Sequence, residues 1–265
     1  MTSSVVAHAR VLAERRGAGT RCSVLRSQPP LTLRATAEAI YLVGTAAGPL
    51  GGDDLGLDVT VAAGAELTMR SVAATTLLPG AGGGRSRARV DVAVGATASL
   101  RWRPQPVIVT ADADHEATTT IELAGDASLY WREEVVLGRH GEEPGSLLQR
   151  LRVDLAGQPL LRNDLALGRR WPGSLGPAGT AGALALGTVL TVGGDRSPRA
   201  AHDGPGGHER VGQARLAVVP LGLRATLVTA IAPSHSHLQA ALDACDVRFH
   251  GAQCQPTGRE RGGGR

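Results

Sequence analysis

The chain has 265 residues, and all 28 of its Lys+Arg residues are arginine. Without lysine it can hold no Schiff-base lysine, no P-loop lysine and no kinase strand lysine, which excludes three large enzyme chemistries. The formal charge of +4, with 42 % hydrophobic and 20 % charged residues, is that of an ordinary globular protein with a weakly basic surface.

Only 1 Phe, 2 Tyr and 3 Trp are present, so a core must be built from Val, Leu and Ala. The 36 Gly and 15 Pro favour turns, and turns favour strands. The arginines are spread along the chain and there are few aromatics to stack on bases, so no nucleic-acid partner is expected. Cys22, Cys245 and Cys254 form no CxxC and indicate neither a disulfide framework nor a zinc ribbon. No apolar run reaches about 18 residues and the N-terminal stretch has no uninterrupted apolar segment, so no membrane association and a cytoplasmic setting are expected. The length fits a single domain over residues 1–255, with 256–265 as a disordered tail.

In chain order, Asp53 and Asp54 follow Gly51-Gly52 and suit a turn, with Asp58 just beyond. An internal repeat comes next. Val59–Arg70, Val92–Arg103 and Ile121–Arg132 align without gaps on the pattern [VI]-x-[VL]-x-x-x-A-x-L-x-[MW]-R. The apolar positions alternate, Val59, Val61, Ala65, Leu67 and Met69 in the first unit, and a Gly/Ala/Asp group allows a bend at the centre. Each unit therefore predicts strand, turn, strand. The predicted fold is mostly β: stacked strand-turn-strand repeats, solenoid-like or layered, with a few short helices near the C-terminus. A sandwich of ordinary hairpins stays open on this evidence.

Between the first two units lies a Gly-rich loop from Gly80. After the second, Trp102-Arg-Pro-Gln-Pro106 cannot continue a central strand, because proline donates no ladder hydrogen bond. That run is either a rigid turn burying Trp102 or a stiff edge that docks a partner. Asp112-Ala-Asp-His-Glu116 gathers acids and a histidine, as a metal-dependent hydrolase using Asp112, Asp114 and His115 would need, or as an acidic strand edge would. Gly173–Ala183 is punctuation before a strand over Ala183–Val192. A polar loop over Gly193–Gly212 holds His202 and His208, and Val211–Ala232 reads as two strands around Pro220. His237–Cys245 is predicted helical, capped by Ser234 or Ser236. His235, His237, Cys245, His250 and Cys254 make a cluster of soft donors whose spacing matches no closed metal site. GxSxG, HExxH, EF-hand, GxGxxG and Walker A motifs are all absent.

The chain resembles the urease accessory protein family UreD (UreH), in its high-GC actinobacterial form. The likeness runs from about Arg16 to Leu165 and more weakly to about Leu242. It is carried by Gly51-Gly-Asp53-x-Leu-x-Leu-Asp-Val59, Val61-x-x-Gly-Ala65, Ala73-Ala-Thr75, Leu100-x-Trp-x-Pro-Gln-Pro106, Leu137-Gly-Arg139 and Gly157-x-Pro-Leu-Leu161. Thr76 stands where the family usually has lysine, and the stretch after Arg139 is shortened to His140-Gly-Glu-Glu143. The resemblance implies a non-catalytic chaperone and scaffold that docks on apo-urease with UreF and, through UreF, the GTPase UreG, and helps insert nickel. It implies no tightly bound cofactor, nickel in transit past carboxylates for which Asp53 and Asp154 are the candidates, and partner contacts at Trp102, Pro104, Gln105, Pro106 and Arg139. A plain β interaction module without a metal role, or the hydrolase, is the alternative.

Overall fold

The computed structural model describes residues 4–193 and 207–250, the last five by backbone alone. Two sheets face one another. The seven-stranded sheet runs in the order β14 (Gln158–Gly168), β13 (Ser146–Leu155), β11 (Asp114–Leu123), β8 (Ser86–Val94), β5 (Asp54–Val61), β1 (Val6–Arg16), β2 (Gly19–Arg26). The eleven-stranded sheet runs β16 (Gly207–Val211), β17 (Ala214–Leu221), β18 (Ala225–Ala232), β15 (Ala185–Val192), β12 (Ser128–Leu137), β9 (Ser99–Arg103), β6 (Glu66–Ser71), β4 (Ile40–Gly44), β3 (Leu31–Ala35). Short β7 (Thr75–Leu77) and β10 (Val107–Val109) continue its middle, β7 pairing with β10 and β10 with the second half of β12.

The repeat predicts this arrangement because its positions lie directly above one another. Val11, Val59, Val92, Ile121 and Val153 form one parallel row across the first sheet. Leu67, Leu100 and Leu129 form another across the second, beside the row Met69, Trp102, Trp131. Parallel neighbours need a crossover, and here each crossover is a strand of the opposite sheet, so the chain coils. That register excludes the sandwich of hairpins, in which neighbouring strands would be antiparallel. Antiparallel hairpin strands appear where the coils stop: β2 on β1, β14 on β13, β3 on β4, and β15 on β12.

Between the sheets of each coil sits a tight turn, closed by Ala65 N to Ala62 O at 3.0 Å, Ala98 N to Gly95 O at 3.1 Å and Ala127 N to Ala124 O at 3.0 Å. Gly64 takes a φ of 68° in the first turn and Thr97 a φ of 54° in the second, a strained value that Asp126 of the next coil supports by accepting the Thr97 amide at 3.1 Å. The interior is packed by Val, Leu and Ala around one aromatic stack, Trp102 on Trp131, with ring centroids 4.7 Å apart and planes 5° off parallel.

Among the described residues there is one helix, α1 (His235–His250), which contains the predicted segment. Ser234 caps it: its carbonyl accepts Leu238 N at 3.1 Å and its hydroxyl faces His237 N at 3.5 Å. Leu238, Ala241, Leu242 and Cys245 press α1 onto the outer face of the second sheet. Gly187 of β15 makes the close approach possible, since a Cβ there would lie 2.6 Å from Leu242 Cδ1.

Two local expectations fail. Pro220 lies within β17, not between two strands; β16 pairs only with Ala214–Val218, so the missing N–H of Pro220 falls beyond that edge, and the turn is made by Gly222 at a φ of 67°. His208 sits on β16 and not in a loop, while His202 lies outside the described residues, as does the 256–265 tail.

Candidate functional site: carboxylates of the β stack

Asp53 is 4 % exposed and closes the turn before β5, its amide donating to Leu50 O at 2.9 Å. Its Oδ2 accepts Leu50 N at 2.9 Å and its Oδ1 accepts Val5 N at 2.8 Å, so both oxygens pin backbone, one of them the lead-in to β1. Asp154 is elsewhere. It lies in the outward row Thr60, Ala93, Glu122, Asp154 and is ion-paired to Arg162. Asp53 precedes β5 and Thr60 is that strand's penultimate residue, which puts about 20 Å of strand between the two candidates. The fold does not bring them together.

The second acidic group is parcelled out among arginines. Arg85 Nε lies 3.1 Å from Asp114 Oδ1 and its Nη1 lies 2.9 Å from Glu116 Oε2; Arg170 Nη1 lies 2.7 Å from Asp114 Oδ2. Arg150 closes on Glu116 and Arg169 on Asp112. The Arg150 hydrogen bond, helped by Arg85, holds the Glu116 carboxyl below its usual range. His115 alternates to the opposite face of β11, 3 % exposed, with Nδ1 2.7 Å from Ser86 Oγ. Burial pushes its pKa down to about 4, so the imidazole is neutral at pH 7. Asp112, Asp114 and His115 therefore do not converge on a common point, and the hydrolase arrangement has no geometry to support it.

Glu133 is the carboxylate the repeat conceals. Period two from Leu129 and Trp131 turns it inward, where Gln149 Nε2 donates to its Oε2 at 2.5 Å and Thr119 Oγ1 to its Oε1 at 3.5 Å. Below it lies the apolar cluster around Trp102 and Trp131; above it lies a second around Leu77, Val109, Leu137 and Leu147. Glu133 thus occupies a polar seam in the interior, and burial pushes its carboxyl pKa up against the pull of its hydrogen bonds. The sequence signal is the alternation itself, continued one residue past the shared pattern.

The soft donors of the C-terminal region point apart. His235 Nε2 is 2.6 Å from Glu134 Oε2, His237 Nδ1 is 2.7 Å from Ser234 Oγ, and Cys245 is 4 % exposed against the sheet. The His250 side chain and Cys254 lie outside the described residues. Among the described residues no three His, Cys, Asp or Glu side chains are placed to hold a metal ion.

Glu134 also receives Arg132 Nε at 2.6 Å, and Arg132, with no exposed surface, sends Nη1 to Asp243 Oδ1 of α1 at 2.6 Å. Burial opposes the charge of Arg132, but Glu134 and Asp243 outweigh it and raise its pKa. Arg103 Nη2 reaches the same Asp243 oxygen at 2.6 Å.

As for the partner-contact candidates, the chain leaves the sheet between Arg103 and Val107, as its prolines require, and Trp102 is only 7 % exposed. Pro106 is buried, Pro104 half-buried and Gln105 exposed, its amide donating to Ser71 Oγ at 2.8 Å. Arg139 is exposed at the turn where its amide donates to Glu142 Oε2 at 2.8 Å. Thr76 lies on β7 opposite Ile108.

Parallel strands coiled one turn upon the next, with Glu133 turned into the interior, define a β-solenoid. The chain belongs to the UreD urease accessory protein family, whose pattern matches residues 5–258. It is 39 % identical over 282 residues to the urease accessory protein UreD of Frankia alni, covering 91 % of this chain and 92 % of the relative. It is 41 % identical over 250 residues to UreD of Streptomyces coelicolor, covering 92 % and 96 %. A UreD from Saccharopolyspora erythraea is 36 % identical over 249 residues, covering 90 % and 86 %. The family gives the chain an accessory role in urease maturation. No helix among the described residues is long and apolar enough to cross a membrane.

Proposed function

We propose that this chain is a non-catalytic scaffold that docks on apo-urease together with UreF and UreG and assists nickel insertion, with nickel as passing cargo and no resident cofactor. The observation that carries the reading is family likeness over nearly the whole chain. The lack of lysine fits it: any GTP chemistry must come from a partner with a P-loop. Hard oxygen ligands suit brief contact with a divalent ion, whereas a closed Cys/His cage would retain it. Asp53 and Asp154 were the carboxylates expected in that role, but Asp53 holds a turn and Asp154 holds Arg162. Glu133, inward-facing and without an arginine partner among the described residues, is the better-placed group. Gln105 and Arg139 are the interface candidates open to a partner.

The test is urease co-expressed with its other accessory proteins, with and without this chain, measuring bound nickel and activity. Both should fall sharply without it. Equal nickel content in the two preparations refutes the reading.

A further inference from the structure

The outer face of the eleven-stranded sheet is only half covered. One row across it reads Arg34, Tyr41, Arg70, Arg103 in register, and the repeat carries the same position on to Arg132. At the Arg132 end the row is covered by α1, whose apolar stripe Leu238, Ala241, Leu242 packs on the sheet while Asp243 reaches Arg103 and Arg132. At the other end nothing among the described residues lies over it. Arg34 and Arg70 are exposed and have no ion-pair partner there. Beside them Tyr41 and Val43 turn outward on β4, and Val72, following Arg70 on the outward side, is 60 % exposed. Tyrosine and arginine are enriched at interface centres, and Val72 adds exposed apolar surface beside them.

We propose that this uncovered half, Arg34, Tyr41, Arg70 and Val72, docks a helix of another urease-maturation protein, one that lays an apolar stripe on the sheet and offers a carboxylate to the arginines. The proposal rests on the maturation role above. Two observations choose the occupant. The same row of the same sheet already binds an apolar helix through a carboxylate, so the chemistry of the contact is built into the fold at its covered end. And the chain's own C-terminal segment is unsuited to the open end: beyond residue 250 it carries Arg259, Arg261 and Arg265 against Glu260, the same sign as the row.

The experiment titrates immobilised full-length chain with purified UreF, UreG and apo-urease of the same organism, singly, at low and high salt. The double variant R34E/R70E is compared with R10E/R26E, exposed arginines of the other sheet, and with Val72→Asp, which tests the patch without touching an arginine. Melting temperatures check that each variant folds. One of the three proteins should bind the wild type in a salt-dependent way, lose at least about tenfold in affinity to R34E/R70E and to Val72→Asp, and bind R10E/R26E unchanged. Wild-type affinity in both R34E/R70E and Val72→Asp overturns the docking surface and leaves the maturation role standing. A wild-type chain that captures none of the three, or that pairs only with itself, overturns both.

Discussion

Asp243→Ala should release α1 from the sheet, and the size of the effect follows from the contacts. The side chain accepts two charge-assisted bonds at 2.6 Å, from Arg132 Nη1 and Arg103 Nη2. Bonds to charged groups contribute roughly 1.5–3 kcal/mol each in net terms. Asp243 is 43 % exposed, so solvent screening places both near the lower end. Arg132 keeps Glu134 at 2.6 Å, so its buried charge is not left wholly uncompensated, and the full 3–5 kcal/mol penalty for breaking a buried pair does not apply. A loss of about 2–3 kcal/mol results, which for a domain of this size lowers Tm by about 5–10 °C. Thermal melting followed by circular dichroism measures the total, and amide exchange along residues 235–245 locates it. The two arginines share one carboxylate oxygen, so Arg103→Ala should cost much less in the Asp243→Ala background than alone. Additive effects, or a Tm within about 1 °C of wild type, would refute the clamp.

Trp102→Ala should destabilise by about 3–5 kcal/mol, read from the urea midpoint, because the ring is 7 % exposed and stacked on Trp131; an unchanged midpoint would show the ring is not part of the core. Glu133 has a folded pKa above its unfolded value, so its contribution is present at low pH, below about 4, and is lost as pH rises and the half-buried, desolvated carboxyl must ionise. Glu133→Gln cannot ionise. Its Tm relative to wild type should therefore climb as pH rises past about 4, and parallel pH profiles for the two proteins would contradict a raised folded pKa.

The coil was legible because the repeat keeps Val59, Val92 and Ile121 at equivalent positions, and a parallel register is the arrangement that stacks equivalents. What sequence left open was whether the units hairpin or coil, since alternation specifies which face is buried and not which strand lies alongside. Helix α1 was readable from composition, but its seat on β15 depends on Gly187, which looks like any strand glycine until the helix is in place. The carboxylates were the harder part. Asp53 suits a turn by its place after Gly51-Gly52, and its contacts are those of a turn former; its pairing with Val5 is long-range and invisible in a local pattern. Asp112, Asp114 and His115 look like a cluster by proximity in sequence, yet strand alternation separates His115 from its neighbours. Glu133 follows the same alternation, but the pattern shared by the repeats ends at Arg132, one residue before it.

The coils stack without closing. A barrel must return to its first strand, which ties strand number to tilt and diameter. Here the stack has only to meet a hairpin strand at each edge of the seven-stranded sheet, the mostly half-buried β14 at one edge and the largely exposed β2 at the other. The length of the stack is therefore a free variable. A coil of about thirty residues could be added or removed between Val59 and Val153 with the Val59 row still pairing valine to valine or isoleucine and the Leu67 row leucine to leucine. The two-tryptophan stack and the Glu133 seam, which belong to particular coils, would mark where in the stack the change was made.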